Sequence, residues 1–189
     1  MTTLTPAQVR LSKRLSKVLR HAPDIIGLTL DEQGWTPVTT LLEALSAHGP
    51  TVSRDELAAV VAGNDKSRFA LSTGPDGVQR IRASQGHSRR VTVDLGLPPV
   101  HPPDTLFHGT PAVNLPSITA GGLLPGRRHH VHLSVDVPTA EKVGRRRSAD
   151  VVVLRVAASA MAVAGHVFHR SDNGVWLTAH VPPAFLDRA

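Results

Sequence analysis

Phe69-Ala70-Leu71-Ser72, then Gly74-Pro75-Asp76-Gly77, then Val78-Gln79-Arg80-Ile81-Arg82 is the stretch that decides the fold of the first half. Two short runs on either side of a Gly-Pro-Asp-Gly turn read as a β-hairpin. The segments before it read as three helices. The nearest has a capping box, Ser53 with Glu56 three residues on, followed by Leu57, Val60 and Val61 and a stop at Gly63. The next opens at Thr36-Pro37, carries Val38, Leu41, Leu42 and Leu45, and stops at Gly49. A short strand, Leu28-Thr29-Leu30, is expected before the Gln33-Gly34 turn. The first helix has Thr5 as N-cap and Pro6 at its first position, with Leu11, Leu15, Val18 and Leu19 on one face. Arg10, Lys13, Arg14 and Lys17 form a basic stripe on another face, which is the pattern of a solvated surface or of phosphate contact. Pro23 disfavours helical geometry at Ala22, so Arg20 and His21 close that helix. Three helices followed by a hairpin describe a winged helix, a module that commonly binds nucleic acid.

Composition narrows the classes of function. The chain has 189 residues, enough for one medium domain or two small ones, and 41% apolar residues, enough for real cores. A net charge of +6 and a pI near 11.0 point to a polyanionic partner. With four Phe, two Trp and no Tyr, recognition by rows of stacked aromatics is not expected. The absence of cysteine excludes disulfides and thiolate metal sites and suits a reducing compartment. No apolar run reaches the length of a membrane span. Met-Thr-Thr-Leu-Thr-Pro has neither the basic start nor the apolar centre of a signal peptide. A soluble, cytoplasmic protein is expected.

Beyond a proline-rich linker around Val100 to Asp104, strands and helices alternate. Strands are expected at Leu106 to His108, Val131 to Ser134, Val151 to Leu154 and Val175 to Thr178. Helices are expected near Val113 to Ala120, Pro138 to Val143 and Ala157 to Ala164. Arg127-Arg128-His129-His130-Val131-His132-Leu133-Ser134 concentrates chemistry: its alternation puts His130 and His132 on one face and Val131 and Leu133 on the other. Leu106-Phe107-His108-Gly109-Thr110 is a second strand ending in a histidine and a hydroxyl. Neither a Gly-x-Gly-x-x-Gly nor a Gly-Lys-Ser/Thr phosphate loop is present, which argues against a Rossmann site and a nucleoside triphosphatase.

Six stretches in order carry a resemblance. Leu15-Ser16-Lys17-Val18-Leu19-Arg20-His21, Lys66-Ser67-Arg68-Phe69, Gln85-Gly86-His87-Ser88, His108-Gly109-Thr110, Arg128 to Ser134 and Asn173-Gly174-Val175-Trp176-Leu177-Thr178 together resemble the RNA 2′-phosphotransferase family. The likeness runs from about Leu11 to Leu186. It implies an α+β chain, with residues 1–95 an N-terminal winged-helix RNA-binding lobe and residues 104–189 a C-terminal ADP-ribosyltransferase-like NAD-binding lobe. It also implies a reaction: an internal RNA 2′-phosphate, as left at a tRNA splice junction, attacks NAD and releases nicotinamide. The 2′-phospho-ADP-ribosylated RNA then yields 2′-hydroxyl RNA and ADP-ribose 1″,2″-cyclic phosphate.

Matched motif to motif, the family's catalytic set falls on Arg20, His21, Arg68 and Arg128. Arginine suits this role because its planar fork of donors matches phosphate oxygens. The resemblance assigns NAD contacts to His108, Gly109, Thr110, His132, Ser134, Gly174, Val175 and Trp176, and RNA contacts to Lys17, Lys66, Gln85 and His87. The two lobes are expected to face each other across a basic cleft. No metal is expected, since arginines supply the charge. A monomer with no membrane attachment is expected. The four glutamates, Glu32, Glu43, Glu56 and Glu141, all lie far from Trp176 in sequence. A late glutamate guides weak acceptors in many protein-modifying ADP-ribosyltransferases, so its absence favours a phosphate acceptor, already largely dianionic near neutral pH.

Other readings stay open. His129, His130 and His132 could ligate a metal, although no carboxylate-rich or His-Glu-x-x-His pattern accompanies them. Arg145-Arg146-Arg147 reads as a solvated loop or a contact to phosphate, and Trp176 as packing beneath the cleft. Two alternative functions remain: ADP-ribosylation of a terminal RNA or DNA phosphate, and a non-catalytic NAD-sensing winged-helix regulator.

Overall fold

The computed structural model describes residues 4–63 and 67–189, an α+β chain that divides into two compact units, Met1–Gly96 and Leu97–Ala189. In the first unit, α1 (Pro6–Arg20) opens on a capping box: Thr5 N donates to Gln8 Oε1 at 2.8 Å and Gln8 N to Thr5 Oγ1 at 3.3 Å. A 3₁₀ turn (Pro23–Ile26) follows, then β1 (Thr36–Pro37), α2 (Val38–Ala47), α3 (Arg54–Ala62), β2 (Phe69–Thr73) and β3 (Gln79–Ala83). The sheet order is β1-β3-β2, all antiparallel, with Leu71 opposite Ile81 and Thr36 opposite the same residue on the other side. Leu15, Val18 and Leu19 of α1, Leu41 and Leu45 of α2, Leu57 and Val60 of α3, and Phe69 and Ile81 form one core. Each such burial contributes roughly 1.5–3 kcal/mol. That core, and not the exposed Asp76–Arg80 pair at the hairpin turn, holds the unit together.

Three local expectations change. Leu28 to Leu30 forms no strand: Leu28 is buried and its N–H closes the 3₁₀ turn on Pro23 O at 3.0 Å. The strand edge it would have needed is taken by Thr36–Pro37, which opens α2 as expected, with Pro37 its N-cap, and is in addition paired to β3. Arg14, expected on the solvated stripe, donates to the carbonyls of Leu45 and Pro50. It satisfies acceptors around the end of α2 that no further helical turn can reach.

The second unit contains β4 (Leu106–Pro111), α4 (Leu115–Gly121), β5 (Val131–Leu133), α5 (Val137–Gly144), β6 (Val151–Val156), α6 (Ala158–Val163), β7 (Phe168–Arg170), β8 (Trp176–Thr178) and β9 (Leu186–Arg188). They build two antiparallel sheets, β4-β6-β9 and β5-β8-β7. Phe107 and Ser134 join them by exchanging two backbone hydrogen bonds of 2.8 Å, which brings β4 beside the end of β5. Leu106, Val131, Leu133, Val156, Met161, Phe168 and Trp176 fill the core between strands and helices. The proline-rich stretch is not a free linker: Val100 N donates to Phe168 O at 2.8 Å and Pro99 bridges His169. Extended proline backbone is already shaped for a strand edge, and the N–H of the next residue can pair. No described helix is long and apolar enough to cross a membrane.

Candidate active site

In the first unit the chemistry gathers where α1 stops. Pro23 lacks an N–H, Ala22 turns out of helical geometry, and the N–H groups of His21 and Ala22 both fall back on Lys17 O, at 3.0 and 3.1 Å. Arg20 is thereby left half-buried and His21 exposed at the helix end. Arg68 stands at the entrance to β2, and Arg20 Nη2 donates to its carbonyl at 3.3 Å. A strap following β3 ties both down: Ser84 N donates to Arg68 O and Ser88 N to Arg20 O, each at 2.9 Å. Arg20, His21 and Arg68 are thus brought together.

The expected RNA contacts are placed differently from one another. Lys17 is exposed on the last turn of α1. His87 is buried, 4% exposed, with Nε2 against Gly34. Gln85 lies on the strap, its Oε1 buried without a hydrogen-bond partner among the described residues. Lys66 lies outside the described residues.

In the second unit, β4 and β5 set the geometry. His108 Nδ1 lies 3.0 Å from His132 O. A carbonyl only accepts, so Nδ1 carries the proton and neutral His108 presents Nε2 as an acceptor. Burial holds its pKa below the ordinary value, and Arg147 adds to that against the opposing backbone hydrogen bond. Thr110 is buried, with Oγ1 accepting from Asn114 Nδ2 at 3.1 Å, which leaves the hydroxyl proton available to donate. Asn114 escaped the sequence reading; its signal was only a polar residue four positions beyond Thr110.

Gly109 is where α5 touches β4. A Cβ there would stand 1.9 Å from Ala140 O and 3.2 Å from Gly144 N. Ser134 makes the backbone bridge to Phe107. β5 begins only at Val131, because Arg128 N is turned back onto Pro125 O at 3.2 Å. That turn sets Arg128 Nη1 3.5 Å from His132 Nε2. The register Leu133 opposite Trp176 brings the end of β5 to the start of β8, beside the Gly174-Val175 turn. Trp176 is 6% exposed in the core and carries Arg170 over its ring at 5.9 Å. His108, Thr110, Arg128, His132 and Ser134 therefore share one region.

Its field is strongly positive. Burial, then Arg147 and Arg146, lower the pKa of Arg128. The Arg145–Arg147 run is thereby divided: Arg145 pairs with Glu141 at 2.6 Å, and the charges of its two neighbours reach Arg128. His130 meets His169 edge-on at 6.0 Å, and no described group of three or more His, Asp or Glu is disposed to hold a metal.

Burial first, then Arg128, His130 and His108, push the pKa of His132 down to about 3 from 6.5. Between those values the unfolded chain binds a proton that the folded chain refuses, so stability rises with pH across that window. The contribution of the neutral ring is complete above about 6.5 and lost as pH falls toward about 3. Acidification from pH 7 to about 4 should therefore cost the native protein on the order of 2 kcal/mol more than a His132→Gln variant, allowing for screening of a partly exposed ring. Denaturant midpoints of both proteins at the two pH values check this; equal acid losses would show that His132 is not the group responsible.

The model of the family described as RNA 2′-phosphotransferase, Tpt1 / KptA family, matches residues 6–180. A Streptomyces griseus protein named probable RNA 2′-phosphotransferase is 56% identical over 182 residues, covering 94% of this chain and 95% of its own. A Streptomyces coelicolor protein of the same name is 55% identical over 178 residues, covering 94% and 93%. One from Hahella chejuensis, again so named, is 50% identical over 175 residues, covering 93% and 91%.

Proposed function

The chain belongs to the RNA 2′-phosphotransferase family, and from that premise we propose that it removes an internal 2′-phosphate from RNA by transferring it to NAD. The observation that carries this is the Arg20–Arg68 pair, tied together at the end of α1 beside exposed His21. A guanidinium anchored on the carbonyl of a second arginine, next to an imidazole, fits a phosphate monoester and a proton that must move.

Each unit supplies a part. We read Met1–Gly96 as a winged-helix lobe, on its three helices leading into the β2–β3 hairpin; Arg20, His21 and Arg68 hold the 2′-phosphate and Lys17 meets the RNA backbone. The strap that carries Gln85 and His87 supports that pair through Ser84 and Ser88. We read Leu97–Ala189 as an ADP-ribosyltransferase-like lobe that takes NAD as a consumed reactant. The fit rests on its donor set: His108 Nε2 accepts a ribose hydroxyl and the Thr110 hydroxyl donates. His132, Ser134 and the Gly174-Val175-Trp176 segment complete the contacts, and Arg128 serves the phosphate.

In the first step a 2′-phosphate oxygen bonds to the ribose carbon bearing nicotinamide as the carbon–nitrogen bond breaks, and nicotinamide leaves neutral. In the second, the adjacent ribose hydroxyl attacks phosphorus and loses its proton. The bond from phosphorus to the RNA 2′-oxygen breaks, and that oxygen regains a proton. His21 is the member of the set able to carry protons near neutral pH. Arginines supply the positive charge that a metal supplies elsewhere.

Incubation with NAD and an oligonucleotide bearing one internal 2′-phosphate tests this. Nicotinamide release with loss of the 2′-phosphate, undiminished in EDTA, is expected. A stable adduct on a terminal phosphate would point to end-capping instead, and binding without turnover to a regulator. Activity lost to EDTA and restored by a divalent ion would refute the metal-free reading.

A further inference from the structure

Ser67 is the only described residue other than glycine with a positive φ, +39°. L side chains enter that region at a free-energy cost, and such conformations persist where surrounding contacts enforce them. Here the strained residue immediately precedes Arg68. Hydrogen bonds reach this pair from Ser84, 1% exposed, one residue beyond the end of β3. Its Oγ donates to Ser67 O at 2.7 Å and its N–H to Arg68 O at 2.9 Å. The hairpin register places it there: Phe69 faces Ala83, so Ser84 meets the residue before the strand. Arg68 O also accepts from Arg20 Nη2. Two consecutive carbonyls therefore collect one hydroxyl, one amide and one guanidinium, and Ser84 supplies two of these three donors.

Loss of the hydroxyl bond would free the Ser67 peptide to relax toward ordinary extended geometry. That rotation changes the direction in which the next residue, Arg68, leaves the backbone, and shifts the carbonyl on which Arg20 is anchored. We propose that Ser84 is a positioning residue for the reaction: its hydroxyl holds Ser67 in the left-handed conformation that aims Arg68, together with Arg20, at the RNA phosphate. This rests on the reading of Arg68 given above. Ser84 touches no reactant; it acts through the backbone of its two partners.

The test compares Ser84→Ala, Ser67→Gly and the double variant, with Arg68→Ala as control, measuring kcat, both KM values and thermal midpoints. Ser84→Ala should lower kcat/KM for 2′-phosphorylated RNA about tenfold, with KM for NAD unchanged. Glycine adopts the left-handed region without a Cβ penalty. Ser67→Gly should therefore restore most of the activity in the double variant, although the hydroxyl is still missing. Unchanged RNA kinetics in Ser84→Ala overturn the proposal. So does a loss that affects both substrates, tracks a lowered midpoint and resists rescue by Ser67→Gly, since that is the pattern of a core residue. If Arg68→Ala itself turns over like the native enzyme, the reading of Arg68 falls, and the proposal with it.

Discussion

Arg68→Ala and Arg128→Ala are each expected to accumulate 2′-phospho-ADP-ribosylated RNA, with the second step slowed about 100-fold and the first much less. The reason lies in where charge goes. In the first step of the proposed reaction a dianionic phosphate attacks a cationic nicotinamide riboside, and charge on the phosphate falls as the bond forms. Arginine contacts there help placement but also stabilise the attacking group before reaction. In the second step a hydroxyl attacks a phosphodiester monoanion, and negative charge builds on the phosphoryl oxygens. Donors that strengthen with that charge lower the barrier, by about 3 kcal/mol for a single lost donor. Arg68 is fixed through its carbonyl by Ser84 and Arg20, and Arg128 by the turn onto Pro125 and by His132. The backbone of Arg68 and the guanidinium of Arg128 are therefore held before the charge develops. A denaturing gel of radiolabelled RNA shows the intermediate as a slower band. Should both variants lose nicotinamide release without that band, the arginines chiefly place the attacking phosphate and the assignment of steps is wrong.

Gly109→Ala is expected to unfold the second unit at temperatures where the native protein is intact. The added methyl would lie 1.9 Å from Ala140 O and 2.6 Å from Ala140 C, both backbone atoms of α5. No rotamer change relieves such a contact; α5 must lift from β4, which carries His108 and Thr110. A cost of at least about 3 kcal/mol follows, corresponding to a melting point lower by ~12 °C or more for a unit of this size. Gly121→Ala is the control: nothing lies within 4 Å of its added Cβ, so its melting should match the native protein. Coincident melting of Gly109→Ala and native protein would show that α5 shifts without cost. The glycine of the His-Gly-Thr motif is thus required by packing.

The sequence by itself determined the local punctuation, because those signals act within one or two turns of chain. The Thr5 N-cap, the Ser53 capping box, the stop enforced by Pro23 and the hairpin around Pro75-Asp76 are all found where the residues put them. The ordered motifs also determined the family. The short strands β1, β7 and β9 went unmarked because Thr36-Pro37, Phe168-His169-Arg170 and Leu186-Asp187-Arg188 each hold at most one large apolar residue, whereas the equally short β5 and β8 hold two; only the partner strand defines them. Tertiary structure alone decided what each charged or polar side chain is for. Arg14 and Lys17 lie on one helix three residues apart, yet one is consumed by the carbonyls of Leu45 and Pro50 and the other faces water. The bond from Arg20 to Arg68 O spans 48 residues, and that from His108 to His132 O spans 24. Periodicity and propensity report on neighbours a few residues away, whereas these pairings exist only after two hydrophobic cores have closed and fixed the backbone around them. The proton position on His108 and the left-handed turn at Ser67 follow from that closure, and no local reading of the chain contains them.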